Sequence, residues 1–364
     1  MALTSVGANC VRPPVGRRFV LRQADEHSSS LQNHTNFKRK RGIYIMADIK
    51  KIATRQAFGD ELAKIGARED IVVMDADLTK STMTNVFAAK YPERHINCGI
   101  AEGNMMATAA GLASCGKTVF AASFAMFSAG RAYEQVRNSI GYPQLNVKVV
   151  GTHAGVTVGE DGASHQCIED TALMRAIPGM VVISPADGVE TAAAIRAVAD
   201  YKGPVYLRLS RLAMPVLFDE DTYKFEIGKG SVMRDGTDVT IIGTGLLLHE
   251  AIKAVDMLEA EGISVRLVNI PTIKPLDNAL VIESAKKTGA VVCVEEHSVI
   301  GGLGSAVCDA LACGMSASDG FVPVEIVGLE DTFGRSGKPE ALLDYFKLSA
   351  PFIVEKAKKA IGRK

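Results

Sequence analysis

A two-domain α/β protein, each domain a mostly parallel β-sheet with helices on both faces, is the fold class this sequence predicts, on three observations. Apolar runs of strand length alternate with stretches of helical periodicity from Ile52 onward. The runs are continuously apolar rather than alternating, as strands buried on both faces are. One polar, charged connector, "FDEDTYKFEIGKGSVMRDGTD" at 218–238, breaks the rhythm, and a second cycle follows it. Alternating β and α elements imply a parallel sheet, with ligands bound beyond the carboxyl ends of the strands.

In order, the first cycle reads as a helix over 52–66, strand "IVVMD" (71–75), a helix over 102–115, strand "TVFAAS" (118–123), a helix over 130–140, strands "VKVVG" (147–151) and "MVVISP" (180–185), a helix over 187–201 and strand "PVYLRLS" (204–210). The second reads as "VTIIG", the helix "LLLHEAIKAVDMLEAEG", "SVRLVNI", a helix from 277, "AVVCVEE", a helix from 302, "VPVEIVG" and terminal helices. The expected domains are 46–225 and 226–364. A chain of 364 residues is long enough for two domains with substantial cores.

Composition excludes several classes. Hydrophobic residues make up 47% and charged residues 23%, as in a globular protein rather than a fibrous or disordered one. No apolar run reaches the about 18 residues that a membrane span requires. The seven cysteines are scattered and form no CxxC pair, so neither a disulfide framework nor a zinc site is indicated, and a reducing cytoplasm is the expected location. Formal net charge is zero, but residues 1–45 hold eight basic and two acidic side chains, leaving 33 basic against 39 acidic in the remainder. An acidic body is a poor surface for nucleic acid. Residues 1–45 show no periodicity, whereas folded patterning starts at Met46; they read as a translated leader, with an Arg-rich transit peptide or a basic arm as the alternatives.

Within the helix pattern 102–115 stands one acid, Glu102, among Met105, Met106, Ala109, Ala110 and Leu112. Burying an unpaired carboxylate costs several kcal/mol or leaves the group protonated, so its presence asks for a partner. "IIGTGLLLHE" lacks the third glycine of a dinucleotide fingerprint and reads as a plain strand-to-helix turn. "IGGLGSA" (300–306) reads as a tight turn with close helix approach. The loop "GTHAGVTVGEDGASHQ" (151–166) gathers His153, Glu160, Asp161 and His165 after a strand, where loops of such sheets carry function. Their spacing matches no standard metal site, and no GxSxG nucleophile elbow occurs.

Eight ordered stretches, "KIATRQAFGDELAKIG", "DADLTKST", "IAEGNMMATAAGLA", "SFAMF", "GVTVGEDGASHQ", "LRLSR", "TIKPLD" and "GRSGKPEALL", resemble transketolase from about Ile52 to the C-terminus, covering that family's pyrimidine-binding domain and C-terminal domain. The resemblance implies thiamine diphosphate as cofactor and gives Glu102 its partner. In that family a glutamate here hydrogen-bonds N1′ of the aminopyrimidine and favours the imino form that takes the thiazolium C2 proton. Phe124 and Phe127 match the aromatic pair against the pyrimidine, with Phe127 the stacking face. Arg55, Ser81 and Arg211 match positions that bind the substrate phosphate, and His153 a histidine near the same end. Asp161 matches the acid that reads a substrate hydroxyl, and His165 a residue near the donor's reacting oxygens. Glu102 and His165 are the expected catalytic pair. "SAGRAYEQVR" is longer than its family counterparts, and Tyr133 is left without a role.

The family's diphosphate and metal grip, GDG followed by Asn-Asn, is missing from the sequence. Mg²⁺ or Ca²⁺, which take oxygen ligands, would therefore be held mainly by a separate N-terminal subunit, in an α2β2 assembly acting on sugar phosphates with no nucleic acid or membrane partner. Alternatives are the β-type subunit of a split 1-deoxyxylulose-5-phosphate synthase or of a 2-oxo-acid dehydrogenase, and a non-catalytic scaffold on the same fold.

Overall fold

The computed structural model describes residues 50–364; the expected leader, 1–45, lies outside them. The strands are β1 (Lys51–Ala53), β2 (Ile71–Asp75), β3 (His95–Asn97), β4 (Thr118–Phe124), β5 (Val147–Thr152), β6 (Val181–Ile183), β7 (Val205–Arg208), β8 (Ala213–Pro215), β9 (Ser231–Arg234), β10 (Val239–Gly243), β11 (Val265–Asn269), β12 (Thr272–Lys274), β13 (Val291–Ser298) and β14 (Val324–Leu329). One sheet has seven strands in the order β12-β6-β7-β5-β4-β2-β3 and another five in the order β14-β13-β10-β11-β9, while β1 and β8 form a small antiparallel pair. The seven-stranded sheet is parallel except at β12, and the five-stranded one except at β9. Each sheet is mostly parallel and two-domain α/β is the architecture, as predicted.

Buried strands explain the apolar runs: β2, β4, β5, β7, β10 and β11 are buried at every residue. Five short strands, β1, β3, β8, β9 and β12, carry no such signature. The polar connector contributes β9, and "TIK" of β12 crosses back to the first sheet, pairing with β6. The sheets are also tied by charge. Arg208 of β7 donates to Asp170 at 2.9 Å and to the Glu296 carbonyl of β13 at 2.8 Å, and Tyr206 donates its hydroxyl to the same carboxylate at 2.7 Å. A buried ion pair requires this completeness of hydrogen bonding. Gly151 leaves the room, since a Cβ there would sit 2.2 Å from the Tyr206 hydroxyl.

The helix expected over 130–140 is instead broken into a π-helical turn Met126–Arg131, a short α turn Tyr133–Gln135 and a second π-helical turn Val136–Gly141. A π-helical turn absorbs an extra residue within a helix, which fits the longer "SAGRAYEQVR". Tyr133 donates to the Leu173 carbonyl at 3.3 Å. Both glycine turns are internally engaged: Gly245 has φ +56 and its N–H meets the Ser184 carbonyl, and the Glu295 carboxylate accepts from the Leu303 and Gly304 amides that open the helix Leu303–Gly314. Among the described residues no helix is long and apolar enough to cross a membrane.

Candidate active site

Site residues read from the sequence follow the ends of five adjacent strands, β7, β5, β4, β2 and β3, with Arg55 just after β1. Ser81 follows β2, Glu102 follows β3, Phe124 ends β4 with Phe127 beyond it, His153, Asp161 and His165 follow β5, and Arg211 follows β7. Sheets of parallel strands bind their ligands beyond such an edge, which makes it the candidate site.

Glu102 opens the helix Glu102–Ser114, where the helix dipole favours a negative side chain. It is 2% exposed. The partner that its burial asks for is, within this chain, a cation: Arg131 Nη1 donates to its Oε2 at 3.0 Å. The Arg131 guanidinium lies 4.6 Å over the Phe127 ring, four residues back along the π-helical turn. A planar cation thus has a carboxylate at its edge and an aromatic ring at its face. Phe127 stacks with Phe124 at 5.9 Å and 15°, and His165 meets the edge of Phe127 at 5.3 Å. Phe124 in turn stacks on His153 at 3.9 Å. Glu102, Phe127, Phe124, His165 and His153 therefore form one connected group.

At its far side the group becomes cationic. Arg55 donates to the Ser81 carbonyl at 2.7 Å and faces His153 Nε2 at 3.5 Å. Arginine only donates, so Nε2 accepts and Nδ1 carries the proton toward Thr152 Oγ1, 3.0 Å away. Thr152 Oγ1 passes its own proton to the Ser123 carbonyl at 3.2 Å. Burial, then Arg55, Arg211 and His165, push the His153 pKa down to about 3, so the imidazole is neutral at physiological pH. Among the described residues Arg55 has no carboxylate within ion-pair distance, and Arg211 meets only Glu160, at 3.8 Å. Two guanidiniums with so little compensating charge suit an anion.

Ser81 sits on a turn held by the buried Asp75, which accepts from His95 at 2.7 Å, Thr79 at 3.0 Å and Thr84 at 2.9 Å. Asp77 and Met83, both at positive φ, shape the turn, and its residues 77–81 line a cleft of about 280 Å³. Asp161 is not brought into the group: it is exposed at the tip of its loop and, among the described residues, makes no side-chain hydrogen bond or ion pair. Sequence reading missed Arg131, Thr152 and the Asp75–His95 pair. Only the irregular length of "SAGRAYEQVR" pointed toward the first.

The fold is that of the pyrimidine-binding and C-terminal parts of a thiamine diphosphate enzyme. The chain belongs to the transketolase family: residues 50–216 match the transketolase pyrimidine-binding domain and residues 228–353 the transketolase C-terminal domain. It is 49% identical over 305 residues to a Methanocaldococcus jannaschii protein named "Putative transketolase C-terminal section", covering 83% of this chain and 94% of that one. It is 41% identical to a 6-deoxy-6-sulfo-D-fructose transketolase subunit of Clostridium sp. strain MSTE9, covering 85% and 95%. Among solved structures, a split-gene transketolase described as an inactive β4 tetramer matches with a TM-score of 0.79 and 50% identity, over 85% of this chain and 99% of that one.

Proposed function

We propose that this chain is the C-terminal subunit of a split transketolase that moves a two-carbon ketol unit from a ketose phosphate to an aldose phosphate. One observation carries the reading: the carboxylate of Glu102 and the face of Phe127 already hold a planar cation between them. A flat aminopyrimidine with a protonatable ring nitrogen asks for the same two contacts. Thiamine diphosphate, when bound, supplies the carbon that carries the two-carbon unit. Glu102 holds a proton at the pyrimidine edge, and Phe124 and Phe127 orient the ring. His165, at the edge of Phe127, faces the reacting end of the sugar. Arg55, Arg211, Ser81 and the neutral His153 bind the phosphate, and Asp161 reads a hydroxyl from the loop tip.

A separate N-terminal chain supplies the GDG and Asn-Asn residues for the diphosphate and for Mg²⁺ or Ca²⁺, in an α2β2 complex working in the cytoplasm on pentose phosphate interconversion. The sequence has no such grip of its own, and the solved relative described as inactive is an assembly named for β chains alone. One relative is named for a sulfonated sugar, which supports reading the anionic end of the substrate as the place where substrate choice is set. Co-expression with a GDG-bearing neighbour and a coupled assay on xylulose 5-phosphate and ribose 5-phosphate tests the reading. Ketol transfer that requires both chains and the cofactor is expected; activity on pyruvate alone, or none with any sugar phosphate, overturns it.

A further inference from the structure

The loop bearing His153 is held from beneath by the other domain. Glu296, near the end of β13, is 2% exposed and its Oε1 accepts the Thr157 amide at 2.6 Å. Its Oε2 has no partner, nor has Thr157 Oγ1, both buried. Gly155, at φ +79, permits the approach, since a Cβ there would lie 2.3 Å from the Glu296 carboxyl carbon. The 3-10 turn Val156–Val158 that results is gripped further by Gln166, whose Nε2 reaches the Val156, Gly159 and Arg335 carbonyls at 3.1, 3.1 and 2.9 Å. Val156 is fully buried in an apolar cluster shared with Leu342 and Leu343 of the second domain.

What the turn offers in return is an anchor. The Val158 carbonyl accepts the Arg211 guanidinium, and three residues upstream of Val156 stands His153, against Arg55. A buried carboxyl with one idle oxygen is a costly way to tie down a loop; the Arg208 guanidinium offsets part of that cost, and the hydrogen bond that the carboxyl makes is spent on the Thr157 amide. We infer that Glu296 is a positioning residue through which the C-terminal domain sets the Val156–Val158 turn and thereby the phosphate-binding end formed by Arg211, His153 and Arg55. The phosphate role rests on the reading given under Proposed function; the holding of the turn does not.

Hydrogen exchange on the full chain tests the holding, and kinetics of the reconstituted complex test its consequence. In Glu296→Ala, amides at 154–160 should exchange about tenfold faster, with those of the helices Leu248–Ala260 and Ala350–Ile361 unchanged. Glu296→Gln, whose amide oxygen still accepts from Thr157, should return exchange to near wild type. In the complex, Glu296→Ala should raise KM for ribose 5-phosphate about tenfold with kcat within about threefold, and leave KM for an unphosphorylated acceptor nearly unmoved. If the alanine variant fails to fold, Glu296→Asp, one methylene too short to reach, carries the same comparison. Unchanged exchange at the turn overturns the inference, as does faster exchange with no split between the two acceptors. A wild-type complex without ketol transfer would sink the functional reading alone, leaving exchange to decide whether Glu296 holds the turn.

Discussion

Replacing Arg131 by methionine removes the cation between Glu102 and Phe127 while keeping an unbranched stem. At 3.0 Å, two unit charges at an effective dielectric of about 20 attract by about 5 kcal/mol. The Arg131 side chain is 53% exposed, so water offsets most of that, and the net contribution is on the order of 1–2 kcal/mol. Stacking on Phe127 adds about 0.5–1 kcal/mol, part of which a thioether recovers. The cofactor-free chain should lose about 2 kcal/mol, or about 4–8 °C in Tm. Thermal unfolding of wild type, Arg131→Met, Glu102→Ala and the double variant isolates the pair, with an expected coupling of about 1–2 kcal/mol. The cation also stands where the pyrimidine is proposed to bind, so Arg131→Met with the partner chain should need about tenfold less thiamine diphosphate for half-saturation. Additive single effects would refute the pairing, and a weaker cofactor affinity would refute the shared position.

Two further outcomes follow from the cationic end and from the buried acid beneath it. Arg211→Ala should raise KM for phosphorylated sugars by about tenfold or more and barely alter it for unphosphorylated ones, since the proposed guanidinium–phosphate contact would be lost; equal effects in steady-state kinetics would remove the proposed phosphate role. Burial, opposed by Arg208, pushes the Glu296 pKa from its ordinary 4.5 up to about 7. Between about pH 4.5 and 7 the folded chain keeps a proton that the unfolded chain has released, so this group lowers stability as pH rises through that window. Urea unfolding of wild type against Glu296→Gln should therefore show the wild type losing on the order of 2–3 kcal/mol relative to the variant between pH 5 and pH 8; a constant difference would contradict the shift.

Strands β2, β4, β5, β7, β10 and β13 were legible because parallel strands covered on both faces read as unbroken apolar runs. The three residues of β12 carry no such pattern. What places them against β6 is the pairing itself, which brings a segment of the second cycle into the first sheet. Glu102 was legible as an anomaly, an acid within an apolar helix pattern, but its protein partner was not. Arg131 is 29 positions away and reaches Glu102 from a π-helical turn, and local propensity does not announce π geometry. Likewise His153 could be read as a loop histidine. Its neutral state and Nδ1 proton come from burial and from Arg55, 98 positions earlier. Glu296 closes the run "AVVCVEE" with nothing in the sequence to single it out, and the packing of two domains buries it under the loop.

The role given to Glu102 is tested most directly by turnover of Glu102→Gln in the reconstituted two-chain complex with saturating thiamine diphosphate. Glutamine matches the shape and can still reach Arg131, so assembly should be intact by sedimentation while turnover falls by roughly two to four orders of magnitude, the range of a lost proton-transfer group. Near-normal turnover would show that the proton is handled elsewhere.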